Sequence, residues 1–224
     1  MLSFFKPYKN FAIVFGVISI IIISIIYNTL NVYQPLPIYQ PAMVNTELVD
    51  STVQYQKKYH KIADFKLVNQ NGDTITQDNY KDKIYVADFF FTTCQTICPI
   101  MTTHMAEVQN QILNDNEVML LSHTVTPEID TVAQLKRYAV EKGVVDSKWN
   151  MVTGNKKQIY QLARKSYLAV KDDGDGGPFD MVHTENFMLI DKKRQIRGFY
   201  DGTNPEEIKR LIKEIKILKD EYTQ

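Results

Sequence analysis

Cysteine is scarce in this chain, since Cys94 and Cys98 are the two cysteines among 224 residues. A domain held together by disulfides would need more cysteines, spread more widely along the chain. The sequence therefore excludes a disulfide scaffold. Two cysteines so close together are typical of redox or metal chemistry, and the alternative is a pair of buried structural thiols.

An excess of either charge is also missing, because 26 Lys and Arg side chains are balanced by 26 Asp and Glu side chains. A nucleic-acid-binding protein needs a clustered basic surface. The composition gives no indication of one, so we expect no nucleic-acid partner. Hydrophobic residues make up 44% of the chain and charged residues 23%, which is typical of a folded globular protein.

One segment near the N-terminus lacks charge altogether. It covers residues 11–30 and begins FAIVFGVISIIIISIIY; Lys6 and Lys9 precede it, and no charged residue follows until Glu47. About 20 apolar residues cross a bilayer as a helix. The positive-inside rule then predicts a cytoplasmic tail (1–10), one helix in the cytoplasmic membrane, and a folded part on the extracytoplasmic, periplasmic side. A cleaved signal peptide is the alternative, but the run is long and no Ala-x-Ala-like site follows it.

The remaining chain divides into a short linker and one domain. Residues 31–59 contain three prolines among polar residues and are predicted to form an extended spacer. Residues 60–224 are enough for a single sizeable domain.

Hydrophobic patterns within this domain predict alternating strands and helices. Asn71-Gly72 indicates a hairpin within residues 65–76, and residues 83–91 read as a buried strand that leads directly into the cysteines. The other predicted elements are a helix from Pro99, a strand at 117–125, helices at 131–142 and 155–167, strands at 181–190 and 195–200, and a last helix starting at Asn204-Pro205. This order predicts an α/β fold, a thioredoxin-like three-layer sandwich with an N-terminal hairpin.

The two cysteines lie in FTTCQTICP, at the predicted junction between a strand and a helix. Their spacing brings the two sulfurs toward one side of the chain. The positive potential at a helix N-terminus lowers the pKa of a thiol and favours the thiolate. Thiolates are soft ligands suited to copper(I), and the same two thiols could also form a short disulfide. The spacing alone leaves metal binding and redox exchange both open.

At these residues the chain resembles the Sco/SenC family. The resemblance covers about residues 60–220 and rests on FFFTTCQTICP, TVTPEIDT with YAVEKG, WNMVTG and VHTENFMLID, which occur in the family's order. It implies that Cys94, Cys98 and His183 bind one copper ion. It also implies delivery of copper to the binuclear centre of a respiratory cytochrome oxidase, whose copper-receiving subunit would be the partner. Two thiolates and one imidazole can hold both copper(I) and copper(II).

Asp88 keeps a second function open, that of a thiol–disulfide oxidoreductase acting on exported proteins. It lies six residues before Cys94 in an otherwise apolar strand, and thioredoxin has an Asp at the same spacing. A buried carboxylate has a raised pKa and could accept a proton from a thiol. The alternative is an Asp that points to water at the end of the strand. A copper donor or a thioredoxin-like reductant would be a further partner.

Several other residues are weaker candidates. His60, His104 and His123 lack the family match, and Met101 and Met105 have the spacing of a buried helix face. The Asp- and Gly-rich stretch at 172–180 lacks the calcium-loop pattern and is predicted to be a mobile loop that lets His183 approach the metal. Thr126 stands where the family often has Asp, and Gln95 where it often has Pro. A peroxiredoxin-like peroxidase is a remote alternative, suggested only by the Thr-Thr-Cys run.

Overall fold

The computed structural model describes residues 8–30, 35–45, 49, 52–170, 182 and 184–223. It divides into two compact units, Met1–Pro35 and Leu36–Gln224. The described part of the first unit is essentially one helix, α1 (Lys9–Leu30). Its segment Lys9–Ile26 has a mean hydropathy of 2.4, and none of it is buried. This helix is long and apolar enough to cross a bilayer once, as predicted.

The second unit is built around a seven-stranded sheet with the order β2-β1-β5-β4-β3-β6-β7. The strands are β1 (Lys66–Asn69), β2 (Thr74–Thr76), β3 (Ile84–Phe90), β4 (Val118–Thr124), β5 (Trp149–Thr153), β6 (Asn186–Ile190) and β7 (Ile196–Asp201). The three central strands, β3, β4 and β5, run parallel, and the flanking strands pair antiparallel. The predicted hairpin is β1–β2, with Gly72 at a φ of 84° in its turn.

Helices cover both faces of this sheet. They are α2 (Ile97–Gln111), α3 (Val132–Glu141), α4 (Lys156–Gln161), which continues as a π-helical turn Leu162–Ser166, and α5 (Pro205–Asp220). Two short 3-10 helices, Pro41–Met43 and Gln77–Tyr80, complete the described elements. The last helix begins as predicted, because the Asn204 side chain accepts a hydrogen bond from the Glu206 N–H and Pro205 occupies the first turn.

The alternation of side chains along β3 divides the core into two clusters. Ile84, Val86 and Phe90 pack on one face together with α2, α3 and α5. Tyr85, Ala87 and Phe89 pack on the other face, against α4, the π-helical turn and the start of the domain. Right-handed crossovers between successive parallel strands place α2 and α3 on the same face. The predicted three-layer α/β sandwich is therefore confirmed.

Three elements differ from the predictions. β5 was not predicted, because the polar Asn150 interrupts the apolar pattern of a strand. All five residues of β5 are buried, and the Asn150 side chain is accommodated by hydrogen bonds with Asn69 and Tyr80. α2 begins at Ile97, before Pro99. Proline is tolerated in the first turn of a helix because the N–H groups of that turn have no partner within the helix. The strand predicted at 181–190 begins only at Asn186.

The predicted spacer also differs from the structure, in which the second unit already begins at Leu36. Tyr39 pairs with Ile196 of β7, and its ring packs edge-on against Phe199. The Leu36 N–H donates to Glu221 Oε1 at 2.6 Å. Residues from Leu36 onward thus extend the domain, since their backbone groups find partners on its surface.

Arg197 joins this N-terminal segment to the core. Its guanidinium donates to the carbonyl oxygens of Leu36 and Pro37 and forms ion pairs with Asp191 and Glu221. Only 5% of the Arg197 side chain and 1% of the Asp191 side chain are exposed. The charges are thus buried in a network that satisfies several donors and acceptors at once.

We predict that Arg197→Met lowers the free energy of unfolding by about 3–5 kcal/mol, because it leaves a buried carboxylate without its cation. Urea unfolding measures this loss. Lys209→Met is the matched control, since 72% of that side chain is exposed. A loss no larger than that of the control would show that the buried ion pairs do not hold the segment in place.

Candidate metal centre

The two cysteines lie where β3 ends and α2 begins. Cys94 is in the connecting turn and is partly exposed, whereas Cys98 is in the first turn of α2 and is buried. The Cys98 N–H points at Cys94 Sγ, with the two atoms 3.5 Å apart. Thr96 Oγ1 lies 3.6 Å from the same sulfur. The helix start therefore brings both thiols to one place and directs polar hydrogens at Cys94.

The two thiols differ in acidity. Partial burial opposes ionisation of Cys94, but hydrogen bonds from Cys98 and Thr96 outweigh it and lower its pKa to about 7. Burial raises the pKa of Cys98 to about 12, and the nearby Cys94 and Asp88 add to the increase. At neutral pH, Cys94 is therefore the ready thiolate, and Cys98 must lose a proton before it can act as a ligand or nucleophile.

The donors present suit a soft metal ion. Two sulfurs, one of them reachable from solvent, form a ligand pair that selects copper(I) over harder ions. Within the described ranges, no group of three or more His, Cys, Asp or Glu side chains could hold a metal. The predicted third ligand, His183, and the predicted mobile loop at 172–180 lie outside the described residues.

Asp88 lies in β3, on the face of the strand whose Val86 and Phe90 pack in the same cluster as Cys98. It is 2% exposed, so its carboxyl group does not point to water. Burial raises its pKa to about 7, although a hydrogen bond with Ser122 on the paired strand β4 opposes the change. Its Oδ1 atom has no hydrogen-bond partner. The charge of Asp88 adds to the raised pKa of Cys98.

Asp130 organises the turn that carries Cys94, and sequence analysis missed it. This fully buried carboxylate accepts hydrogen bonds from the Thr92 N–H and from the hydroxyl groups of Thr92, Thr124 and Thr126. It thereby joins the loop after β3 to the loop after β4. Thr126 stands where the family often has Asp, and Asp130, four residues later, supplies a carboxylate in the same loop. The sequence feature that could have indicated this role is an Asp close to several threonines.

The other candidate ligands have structural roles. His60 Nε2 lies 2.7 Å from the Ser166 carbonyl oxygen, and His104 Nδ1 lies 2.7 Å from the Gly202 carbonyl oxygen. His123 is fully buried, stacks on Phe89, and has a pKa that burial lowers to about 4. Met101 and Met105 are completely buried in the core, as their helical spacing predicted.

We predict that Asp130→Asn loosens the turn before Cys94. An amide offers one acceptor oxygen instead of two, so at least one buried hydroxyl loses its partner, at a cost of about 1–3 kcal/mol. Urea unfolding and the alkylation rate of Cys94 both measure the change. Glu128→Gln in the same loop is the control, because that side chain is exposed. Unchanged stability and unchanged Cys94 reactivity would contradict this role.

Comparison with known proteins identifies the family. The SCO1/SenC family model matches residues 53–219. A curated SCO1 protein homolog from Bacillus subtilis is 30% identical over 159 residues, which cover 70% of this chain and 82% of the relative.

Solved structures agree. BsSco is 30% identical to this chain, with a TM-score of 0.61, and the match covers 70% of this chain and 92% of BsSco. BsSco is described as having a disulfide switch and as a member of the Sco family of cytochrome c oxidase assembly proteins. Arabidopsis thaliana ScoI with copper bound is 25% identical with a TM-score of 0.55, covering 69% and 97%. From its family-model match and these likenesses, the chain belongs to the SCO1/SenC family.

Proposed function

We propose that this protein binds copper through Cys94, Cys98 and His183 and delivers it to the binuclear copper centre of a respiratory cytochrome oxidase. The observation that carries the proposal is the pair of adjacent thiols at the start of α2, with the partly exposed Cys94 Sγ 3.5 Å from the N–H nitrogen of the buried Cys98. Copper is the cargo in this proposal. The copper-receiving subunit of the oxidase is the partner, and a separate copper donor would load the site.

Relatives support the identity of the metal and of its destination. A copper-bound structure exists for the related Arabidopsis ScoI, and BsSco is described as belonging to a family of cytochrome c oxidase assembly proteins. Two thiolates match copper(I), and an imidazole from His183 would extend the set to copper(II).

The unequal thiols suggest an order of events during loading. Cys94 is partly exposed and has the lower pKa, so its thiolate meets an incoming copper ion first. Cys98 then releases its proton as it becomes the second ligand, since only a thiolate coordinates well. Release to the partner reverses this order, because reprotonation of the buried Cys98 favours dissociation.

The proposed location is the cytoplasmic membrane. Helix α1 has the length and hydropathy of a membrane span, and the positive charges of Lys6 and Lys9 favour a cytoplasmic N-terminus. The thioredoxin-like domain then lies on the periplasmic side.

The ligand assignment predicts a distinct copper titration for each variant. The reduced protein should bind one copper(II) ion with a thiolate-to-copper charge-transfer band, and Cys94→Ser or Cys98→Ser should abolish that band. His183→Ala should weaken copper(II) binding more than about tenfold while copper(I) binding persists, because imidazole is the ligand that favours copper(II).

His60→Gln is the control for the histidine variant, since the His60 ring is engaged with Ser166. If all three ligand variants keep tight, stoichiometric copper, the assigned set is wrong. Electronic spectra recorded during the titration provide the readout.

A thiol–disulfide oxidoreductase is the second candidate, and Asp88 favours it. In this reaction the Cys94 thiolate attacks a disulfide of the partner and forms a mixed disulfide. Asp88 accepts the proton of Cys98, and the Cys98 thiolate then attacks Cys94 Sγ. The partner leaves as a reduced dithiol, and a Cys94–Cys98 disulfide remains, which a thioredoxin-like reductant would reduce again.

This second function predicts a pH dependence. Asp88 has a raised pKa of about 7, so it is protonated below that pH and can accept a proton only above it. Resolution of the mixed disulfide should therefore speed up as the pH rises through about 7. In Asp88→Asn the step should be about 100-fold slower, with that dependence lost.

Stopped-flow measurement of partner thiol release tests the step, and Asp220→Asn, an exposed change, is the control. Copper(I) binding should persist in Asp88→Asn, which separates the two functions. An unaltered rate and pH profile in this variant would remove Asp88 as the proton acceptor.

A further inference from the structure

The segment 55–61 of the domain exposes two aromatic rings beside several lysines. Tyr55 is 81% exposed and Tyr59 is 85% exposed. Tyr59 has a φ of 66°, which is uncommon for a bulky residue and indicates a backbone held in an unusual turn. Lys57, Lys58 and Lys61, in the same segment, are also exposed. Exposed tyrosines next to lysines are typical of a surface that contacts the interface of a membrane.

A second basic segment lies directly beside the first. The Ile62 N–H donates to the Arg194 carbonyl oxygen at 2.9 Å, which joins the segment to the turn between β6 and β7. A groove of about 430 Å³ opens there, and Lys61, Lys81, Lys192, Lys193 and Arg194 contribute basic side chains to its wall. We call the two segments and this groove the basic face.

Cations outnumber carboxylates on the basic face. Its cations are Lys57, Lys58, Lys61, Lys81, Lys192, Lys193 and Arg194, and its carboxylates are Asp64, Asp78 and Asp82. Arg194 pairs with Asp64, and Lys192 pairs with Glu117. Within the part of the chain that the structure describes, the other five lysines form no ion pair. Their charges are therefore available to an anionic partner.

An apolar side chain adds to this surface. The Ala42 N–H donates to the Gln56 carbonyl oxygen at 3.2 Å, which places the short helix Pro41–Met43 beside the tyrosine segment. Met43 is 58% exposed. Apolar and aromatic side chains among cations can enter the boundary between headgroups and acyl chains, where cations alone would stay outside.

We propose that the basic face docks on the anionic phospholipid headgroups of the membrane that carries α1. The inference rests on the membrane anchoring given under Proposed function. A tethered domain stays close to the bilayer, so weak contacts suffice to orient it. Each lysine near an anionic leaflet adds attraction that falls off within a Debye length.

Docking would set the direction in which the thiols face. The basic face includes Lys81, just before β3, whereas Cys94 follows the other end of the same strand. A strand of seven residues spans about 23 Å, at about 3.3 Å per residue. With the basic face on the bilayer, Cys94 and Cys98 point away from it, toward a partner that stands out from the membrane.

Fluorescence quenching in vesicles tests this surface with the full chain. Tyr59→Trp places a reporter at an exposed position, and the parent protein gives the background of the buried Trp149. In phosphatidylglycerol vesicles containing a headgroup-labelled nitroxide lipid, we expect quenching at least about twofold greater than in phosphatidylcholine vesicles. High salt should remove the difference, because the Debye length falls to about 3 Å at 1 M.

Charge removal gives the matched comparison. The triple variant Lys57→Gln, Lys58→Gln and Lys61→Gln should lose the extra quenching. Lys209→Gln, Lys213→Gln and Lys216→Gln on the exposed side of α5 remove the same charge from the other layer and should keep it. Tyr55→Trp is a second reporter in case the first alters the turn.

Equal quenching in the two lipids, or no effect of the first triple variant, would overturn the docking surface. Shielding of the reporter only when an acidic partner protein is added would overturn it as well. Resistance of the full chain to a carbonate wash reports on the anchor separately. Failure of the anchoring is thus read from the wash, and failure of the surface from the quenching.

Discussion

The site depends on the buried carboxylate of Asp130. Four donors converge on it: two from Thr92 after β3, one from Thr124 at the end of β4 and one from Thr126 in the loop that follows. Adjacent parallel strands end at the same edge of the sheet, so their loops must be held together if a short turn between strand and helix is to keep one shape. A carboxylate has enough acceptor sites for all of these donors, which a hydroxyl or an amide would not. Thr92, two residues before Cys94, is held by this arrangement.

The chemistry of the two sulfurs follows from their unequal surroundings. Cys94 is reachable and receives polar hydrogens, whereas Cys98 is packed into the core with the apolar side chains of α2. A metal ion or a partner disulfide would therefore meet Cys94 first, and the state of Cys98 would decide what happens next. Asp88 lies in the strand that leads to the motif. The same geometry can thus serve copper transfer and electron exchange, which explains why one observation, the thiol pair, supports both proposed functions.

The sheet also separates the two ends of the domain. The thiols lie where β3 ends, and the basic face lies where β3 begins and β6 ends. A protein that works beside a membrane benefits from this separation, because one end can face the lipid while the other meets a partner. The N-terminal segment from Leu36 contributes to the separation by packing on β7 through Arg197 instead of forming a free linker.

Features that depend on neighbours along the chain can be read from the sequence. The apolar run of α1, the Asn-Gly turn between β1 and β2, the Asn-Pro start of α5 and the cysteine pair could all be predicted, because spacing and local backbone preference decide them. The other features depend on contacts between residues that are far apart in the sequence. Asp130 meets Thr92 across 38 residues, Arg197 meets Leu36 across 161 residues, and β5 is stabilised by Asn69 and Tyr80 from distant elements. The burial of Asp88 and the unequal pKa values of the thiols likewise arise from packing, since a polar residue's burial and partners are set by contacts that local patterns do not contain.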